Sequence, residues 1–239
     1  MTLLAASAAA ESIPQAASEP PCYSRLVNDW ICPDYWQDRR TEIGDALVQH
    51  LQITVLSVAL GLVVAGILAA MARRSGLVRG VVLGSSTAIY TIPSLALLPL
   101  LVPWTGLSMT TVVIGLAAYA QTILVRAILD GLEAVPVEVR EAARGLGYGR
   151  MRSLLRVELP LAWPVMSAGL RVATVSTVAL TTIGSLVAYG GLGNLISDGV
   201  LTNFRAELFT AAVLCVLLAV ALDALIVLGT RLVTPWRRA

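Results

Sequence analysis

The residues best suited to a specific task lie in one polar loop of an otherwise apolar chain. This loop carries two motifs, Glu141-Ala142-Ala143-Arg144-Gly145-Leu146-Gly147 and, further along, Glu158-Leu159-Pro160. Pro136 suits the first turn of a helix, and apolar side chains lie between charged ones over residues 137–146, which predicts a short amphipathic helix. The glycines that follow end the helix and allow a tight reversal. Such a helix offers one face to a partner, although a connector without a partner would show the same pattern.

Three charged residues lie inside apolar stretches and are the other candidates for a functional role: Arg126, Arg171 and Asp223. An unpartnered charge in lipid costs on the order of 3 kcal/mol or more, so such groups normally face a partner or water. Because a helix rises about 1.5 Å per residue, Arg171 and Asp223 are expected at equal depth and form a candidate intramembrane pair. The pair is either static or a bridge that breaks as helices move, whereas Arg126 lies close enough to one surface to snorkel.

Apolar helices must position these residues, and the composition provides them. The chain has 239 residues, of which 57% are hydrophobic and 13% are charged, as is typical of a multi-span membrane protein. Apolar runs of about 20 residues predict an all-α membrane protein with five spans. The spans are residues 51–71, 78–104, 109–132, 163–189 and 208–233. The formal net charge of +2 is too small to indicate a nucleic-acid partner, and membrane lipid is the expected environment.

The distribution of arginine predicts the orientation of the chain. Arginines are concentrated in the connection between the first two spans, in the polar loop (residues 133–160) and at the C-terminal end, at positions 73, 74, 79, 140, 144, 150, 152, 156, 231, 237 and 238. The positive-inside rule therefore places the polar loop and the tail 236–239 in the cytoplasm and the N-terminus outside, in a multi-pass protein of the cell membrane. Arg39 and Arg40 count against this orientation, but acidic neighbours accompany them.

Residues 1–48 are predicted to form an extracytoplasmic, partly disordered segment ahead of a transmembrane domain at residues 49–235. The opening is rich in Ala, Ser and Pro, and Met1–Ala10 form either a mobile tail or the apolar part of a cleaved signal peptide. Cys22 and Cys32 are close enough in sequence for a disulfide, which an extracytoplasmic location would preserve, or they are two free thiols.

The remaining cysteine and the histidine predict no metal site. Cys215 lies inside the fifth span, where a small apolar packing role is expected. His50 is the only histidine of the sequence, and it is expected at the membrane interface where the first span begins, with a ligand or proton-relay role as the alternative.

Two prolines mark expected helix breaks. Pro93 removes a backbone donor in the middle of the second span, which makes Pro93 and Ser94 candidate lining residues of a pathway or, alternatively, a passive kink. Pro160 is expected to end a helix that runs along the membrane surface from residue 150 to residue 157 before the fourth span begins.

A glycine cluster, Gly190-Gly191-Leu192-Gly193, ends the fourth span. Glycine permits close backbone approach, and the residues that follow form either a short outer helix that acts as a gate or a simple turn. Gly191 and Gly193 are therefore candidate gate residues.

The polar loop resembles the EAA loop of ABC-importer permeases. Beyond it, from about His50 to Pro235, the chain resembles the permease subunits of quaternary-amine and osmoprotectant importers, the glycine betaine, carnitine and choline class. The further motifs that carry this resemblance are Thr91-Ile92-Pro93-Ser94-Leu95-Ala96, Val157-Glu158-Leu159-Pro160-Leu161-Ala162, Ala168-Gly169-Leu170-Arg171 and Gly190-Gly191-Leu192-Gly193. The resemblance implies a five-span type I ABC-importer permease fold with a cytoplasmic coupling helix. It assigns coupling to an ATPase to Glu141, Ala142, Ala143, Gly145, Gly147, Leu159 and Pro160.

The same resemblance implies the partners: a second permease subunit, either another copy or a paralogue, a cytoplasmic ABC ATPase dimer, and an extracytoplasmic substrate-binding protein. The chain itself is expected to be a non-catalytic transport subunit without a cofactor, because no Gly-x-x-x-x-Gly-Lys-Ser/Thr motif and no lysine is present to hold ATP and Mg²⁺. Alternatives are a permease for methionine or another small polar solute, and a stand-alone helical channel. A membrane-embedded enzyme is disfavoured, since no His/Asp/Glu cluster lies within the spans.

Overall fold

The structure is a computed structural model that describes residues 22–24 and 27–235. Predictions on residues 1–21, including the signal peptide, and on the tail 236–239 lie outside the described residues. The described residues form helices and no strand, which confirms the all-α prediction. The α-helices are α1 (Pro33–Asp38), α2 (Arg40–Ala72), α3 (Gly76–Thr91), α4 (Ser94–Thr105), α5 (Met109–Glu133), α6 (Val137–Gly145), α7 (Arg150–Ser153), α8 (Leu159–Thr181), α9 (Leu192–Leu201) and α10 (Arg205–Val233).

The spans agree with the predicted number when one bent pair of helices is counted as a single crossing. In the described part of the chain, α2, α5, the helical stretch Arg150–Val187 and α10 are each long and apolar enough to cross a membrane, and α3 with α4 forms a fifth, broken span. The predicted boundary between residues 48 and 49 falls inside α2. The helix begins at Arg40 because a charged first turn extends it beyond the apolar run. Glu42 in this turn forms an ion pair with Arg39 at 2.7 Å.

The second span is broken where Pro93 was predicted to break it. The axes of α3 and α4 meet at 98°, and Ile92 between them has an extended backbone. The Tyr119 hydroxyl of α5 donates a hydrogen bond to the Ile92 carbonyl, and the Tyr119 ring packs edge-to-face against Tyr90 at 5.7 Å. A side chain therefore satisfies a backbone acceptor at the break, as an apolar environment requires.

The fourth span departs from the prediction at Pro160. The predicted helix end there is wrong, because helical residues continue from Arg150 to Val187. A π-helical turn over Leu154–Glu158 joins α7 to α8, and in it the Leu159 N–H donates to the Leu154 carbonyl, five residues back. The wider turn accommodates the proline at the start of α8, where the missing N–H is tolerated.

The helices α2, α5 and α8 pack against one another and form the centre of the fold. Two apolar clusters fill this centre. One includes Ala65, Leu124, Leu129 and Ala173, and the other includes Ile53, Val112, Leu116 and Val187. The helix α3 packs on α2 and α5, while α10 packs on α8 and α9. Burial of apolar side chains between these helices holds the broken span and the polar loop in place.

The N-terminal segment, which here means the described residues before Arg40, packs on the start of α10. A disulfide bond joins Cys22 to Cys32, with the Cα atoms 5.6 Å apart. The Asn28 side chain donates to the Asn203 carbonyl at 2.8 Å and accepts from the Arg205 N–H at 3.0 Å. These contacts place the segment at the end of the bundle where α2 begins.

The connections at the other end of α2 are joined by ion pairs. Arg73, just after α2, contacts Glu158 of the π-helical turn at 2.9 Å, and the Ser153 hydroxyl donates to the same carboxylate at 3.2 Å. Arg79 at the start of α3 pairs with Glu133 at the end of α5. Both pairs link the first connection to the polar loop. We call this end of the bundle the loop end.

Replacing Arg73 with Ala is expected to lower the stability of the protein. Glu158 is only 6% exposed, and a buried carboxylate without its cation costs about 1–3 kcal/mol. Thermal unfolding in detergent would show a lower midpoint for Arg73→Ala than for the control Arg74→Ala, which removes an exposed neighbour. Adding Glu158→Gln to Arg73→Ala should recover part of the loss, and equal midpoints for both alanine variants would contradict the role of this ion pair.

Candidate functional site

The helix α6 carries most of the predicted coupling residues and lies on the surface of the loop end. Of its residues only Ala143 is buried, and the helix contacts α7 and the π-helical turn. Glu141, Ala142 and Gly145 are exposed. Leu146, just beyond the helix, is 79% exposed. An exposed apolar side chain beside an exposed carboxylate gives α6 a face that residues 22–24 and 27–235 do not cover.

The end of α6 is fixed by a hydrogen-bonded reversal. The Tyr148 N–H donates to the Ala143 carbonyl at 3.0 Å, and the Gly147 N–H donates to the Arg144 carbonyl at 2.9 Å. Gly147 has φ +81°, a left-handed conformation that other residues rarely adopt at a helix end. Gly145 differs, because it has helical geometry and a Cβ atom there would meet nothing within 4 Å. The chain itself therefore needs glycine at position 147 but not at position 145.

The second motif of the polar loop lies directly behind α6. Leu159 begins α8 and packs against the larger apolar cluster, and Pro160 follows it in the same helix. Because the π-helical turn precedes them and α6 contacts that turn, all seven predicted coupling residues belong to one connected unit. α7, the turn and α8 are continuous, so the turn that α6 contacts is part of the helical stretch of the fourth span.

Arginine lines a cavity of about 950 Å³ beside α6. Its guanidinium groups come from Arg73, Arg74, Arg144 and Arg150, with Glu158 as the carboxylate among them. Arg152 lies over the ring of Tyr148 at 4.7 Å, which helps to order the turn. The surface around α6 is therefore positively charged and suits an acidic partner surface.

The predicted pathway residues Pro93 and Ser94 lie at the break between α3 and α4. Pro93 is exposed and Ser94 is half-buried. The aromatic pair Tyr90 and Tyr119 lies at the same break. At this break, a backbone carbonyl, a tyrosine hydroxyl and two aromatic rings lie close together within a span.

Gly191 and Gly193 are positions of close backbone approach between elements. A Cβ atom on Gly191 would lie 2.6 Å from the His50 nitrogen, and one on Gly193 would lie 2.3 Å from the Thr182 carbonyl oxygen. The Gly191 N–H donates to the Gln49 side chain at 2.9 Å. The glycines thus join α9 to α2 and to the end of the fourth span, and the residues after them form the helix α9 rather than a simple turn.

Arg171 and Asp223, on α8 and α10, form a two-hydrogen-bond ion pair. Arg171 Nε lies 2.7 Å and Nη2 lies 2.8 Å from the two carboxylate oxygens of Asp223. Such a fork-to-fork arrangement compensates both charges inside a membrane. Arg126 instead donates to the Thr87 hydroxyl at 2.7 Å, so the acceptor of its hydrogen bond is a neutral group rather than a carboxylate.

Two contacts between helices were not predicted from the sequence. His50, predicted where the first span begins, is fully buried between helices, with Nε2 3.0 Å from the Val178 carbonyl oxygen. The sequence did not indicate this burial. The Arg73–Glu158 pair was also missed. The sequence did contain a signal for this pair. Arg73 lies in a connection that has no acidic residue, and Glu158 lies in a loop that was predicted on the same side of the membrane.

Comparison with known proteins places these features in one family. Residues 62–239 match the family described as "Binding-protein-dependent transport system inner membrane component". The chain is 30% identical to the glycine betaine/carnitine/choline transport system permease protein OpuCB of Bacillus subtilis, over 78% of this chain and 86% of the relative. It is 32% identical to the choline transport system permease protein OpuBD of the same organism, over 85% and 91% of the two chains. It is 31% identical to the osmoprotectant import permease protein OsmW of Salmonella typhimurium, over 79% and 90%. The resemblance found in the sequence is thereby confirmed.

A solved structure of similar fold is an inward-facing form of the MetNI methionine ABC transporter. The TM-score is 0.73 at 22% identity, and the match covers 83% of this chain and 99% of the other. This likeness supports the fold of an ABC-importer permease and carries no information on the substrate.

Exchanging the charges of Arg171 and Asp223 tests their pairing. Arg171→Ala and Asp223→Ala should each reduce the amount of folded protein, because each leaves one charge in lipid at a cost of about 3 kcal/mol. The double variant Arg171→Asp/Asp223→Arg should recover much of the loss, as measured by the monodisperse fraction in size-exclusion chromatography. Arg126→Ala, which strands no carboxylate, is the control and should lose less. A double variant that adds the two losses would contradict the pairing.

Proposed function

This chain belongs to the family of binding-protein-dependent transport system inner membrane components, and from that membership we propose that it is the membrane subunit of an ATP-driven importer of osmoprotectants or quaternary amines such as glycine betaine, carnitine or choline. The single observation that carries the coupling role is the exposed face of α6, which is joined to the fourth span behind it. The names of the relatives support the substrate class, since several of them transport these solutes.

An ABC ATPase dimer in the cytoplasm is the proposed partner of α6. Gly145 leaves open space on this helix, and the exposed Leu146 provides an apolar contact. The surrounding arginines complement acidic side chains on the partner. ATP and Mg²⁺ bind the ATPase in this proposal, and the permease responds to its motion.

In the proposed assembly, two permease subunits enclose the pathway. They are either two copies of this chain or this chain and a paralogue. The break at Pro93 and Ser94 and the nearby tyrosines line it, and Gly191 and Gly193 hold the outer helix α9 that gates it. A substrate-binding protein delivers the solute from the extracytoplasmic side. The loop end faces the cytoplasm, and the N-terminal segment lies outside.

The coupling mechanism follows from the continuity of the helices. When the ATPase dimer closes, the two α6 helices are drawn together, and the π-helical turn passes this motion to α8 of each subunit. The pathway then opens outward, and hydrolysis reverses the change. The Arg171–Asp223 pair joins α8 to α10, so it either carries the motion to the last span or opens with it.

Replacing Gly145 with Asp tests the coupling role. The variant should remain in the membrane, because this chain leaves open space at position 145. It should lose most ATP-dependent uptake of labelled glycine betaine, carnitine and choline, because the added carboxylate fills the face that the ATPase contacts. Uptake is measured in a strain that lacks the native chain, with labelled methionine as the test of the alternative substrate.

Gly76→Asp is the matched control. It adds the same side chain at the loop end, also into open space, but outside the arginine-lined cavity. Gly76 is the first residue of α3, where an acidic side chain is favourable, so uptake should stay close to the wild-type rate. Normal uptake by Gly145→Asp, or equal loss in both variants, would remove the coupling assignment.

Thiol labelling tests the orientation. In right-side-out vesicles of a Cys215→Ser background, a membrane-impermeant maleimide should label the chain only after an impermeant reductant opens the Cys22–Cys32 disulfide. Cys22 is the half-buried partner and should react first. The control Leu146→Cys should react only after the membrane is permeabilised. Prompt labelling of the cysteine pair without reductant, or labelling of Leu146→Cys in sealed vesicles, would contradict this orientation.

A further inference from the structure

A cavity of about 780 Å³ lies at the end of the bundle opposite the loop end, and the coupling role does not use it. Three parts of the chain form it: the N-terminal segment, the start of α2, and the junction between α9 and α10. Its lining residues are Tyr23, Asn28, Tyr35, Arg39, Glu42, Asp198, Thr202, Asn203, Phe204 and Glu207. This volume falls in the range of small-molecule sites, which is about 300–1,000 Å³.

The outer wall of the cavity is held rigidly by the N-terminal segment. Asn28 bonds the backbone of Asn203 and Arg205 across the α9–α10 junction. The Trp36 indole N–H donates to the Thr210 hydroxyl at 2.8 Å, and the Cys22–Cys32 disulfide closes the segment on itself. The cavity is thus a preformed feature of this chain.

The lining carries more negative than positive charge. It contains three carboxylates, Glu42, Asp198 and Glu207, and one guanidinium, Arg39. Arg39 pairs with Glu42 at 2.7 Å. No ion pair joins Asp198 or Glu207 to a cation among the described lining residues, although Arg39 is close enough to act on the Glu207 carboxylate through space.

Glu207 and Tyr35 are buried polar side chains that face the cavity without partners. Glu207 is 9% exposed and Tyr35 is 2% exposed. Within the described part of the chain, neither the Glu207 carboxylate nor the Tyr35 hydroxyl makes a hydrogen bond or an ion pair. Burial raises the pKa of the Tyr35 hydroxyl above its usual range, and the nearby carboxylates of Glu207 and Glu42 add to the shift. A buried carboxylate without a partner is unfavourable, and a bound cation would relieve this cost.

Aromatic rings accompany the carboxylates. Tyr35 packs edge-to-face on Phe204 at 5.2 Å, and Tyr23 lies 6.2 Å from Tyr35 and 6.3 Å from Phe204. Rings beside uncompensated carboxylates are the combination that binds quaternary ammonium groups, which are attracted by ring faces and need no hydrogen-bond acceptor. An inorganic cation would gain less from the rings.

We propose that this cavity is a binding site for a small quaternary-ammonium cation at the extracytoplasmic entrance of the permease. The inference rests on the proposed function, and it adds a selectivity that the function alone does not give. Because Asp198 and Glu207 leave net negative charge in the lining, the site prefers a ligand with net positive charge, of which choline is an example, to the zwitterions glycine betaine and carnitine.

Equilibrium binding of labelled choline to the full-length chain in lipid nanodiscs tests the site, without ATPase or binding protein. Wild-type protein should bind choline, and tetramethylammonium should displace it more effectively than the same concentration of sodium or of glycine betaine. Glu207→Gln should weaken binding about tenfold or more, and Asp198→Asn, at an exposed position that leaves the fold undisturbed, should weaken it severalfold. Asp29→Asn is the matched control, since it removes an exposed charge of the N-terminal segment that does not line the cavity, and it should bind as the wild type does.

The outcomes separate this inference from the proposed function. Absence of choline binding to the wild type, or equal binding by Glu207→Gln and wild type, would overturn the site while the uptake assay with Gly145→Asp still decides the importer assignment. Displacement by sodium as effective as by tetramethylammonium would reduce the site to a general cation site and contradict the proposal. The proposal would also be contradicted if Glu207→Gln and Asp198→Asn kept choline binding but no longer captured the binding protein. The cavity would then be a docking surface for that protein.

Discussion

The ion pair between Arg73 and Glu158 is the contact on which the loop end depends. It joins the end of the first span to the π-helical turn, and the buried Ser153 hydroxyl bonds the same carboxylate. The turn in turn supports α6 on one side and begins the fourth span on the other. A short surface helix with one buried residue has little stability of its own. The charge pair fixes the turn that α6 contacts and so helps to hold α6 in place.

The same principle, that polar groups in an apolar environment must be satisfied within the chain, accounts for the irregular parts of the spans. Tyr119 satisfies the backbone at the break before Pro93, and a shifted hydrogen-bond pattern accommodates Pro160. Arg171 and Asp223 satisfy each other. Glu207 is the buried carboxylate that has no hydrogen bond or ion pair in the described chain, and for that reason the cavity around it is interpreted as a ligand site.

Much of the fold was predictable because its signals are local. Apolar runs located the spans, Pro93 located the break, and the Pro136-to-Gly147 pattern located α6 and its end. Equal depth brought Arg171 and Asp223 together correctly. The features that the sequence did not indicate depend on tertiary structure. His50 is buried between helices, and the π-helical turn, which no local residue pattern predicts, carries the helix through Pro160. The cavity could not be predicted, since its wall comes from residues far apart in sequence, such as Asn28 and Asn203.

Photo-crosslinking from α6 tests the central claim most directly. A photoreactive amino acid in place of Leu146 is compared with one in place of Leu201, which is similarly exposed, at 81% against 79%, but lies at the other end of the bundle. On illumination of native membranes, the account predicts a crosslink from position 146 to a nucleotide-hydrolysing subunit and none to it from position 201. A crosslink from position 201 to that subunit, or none from position 146, would contradict the account.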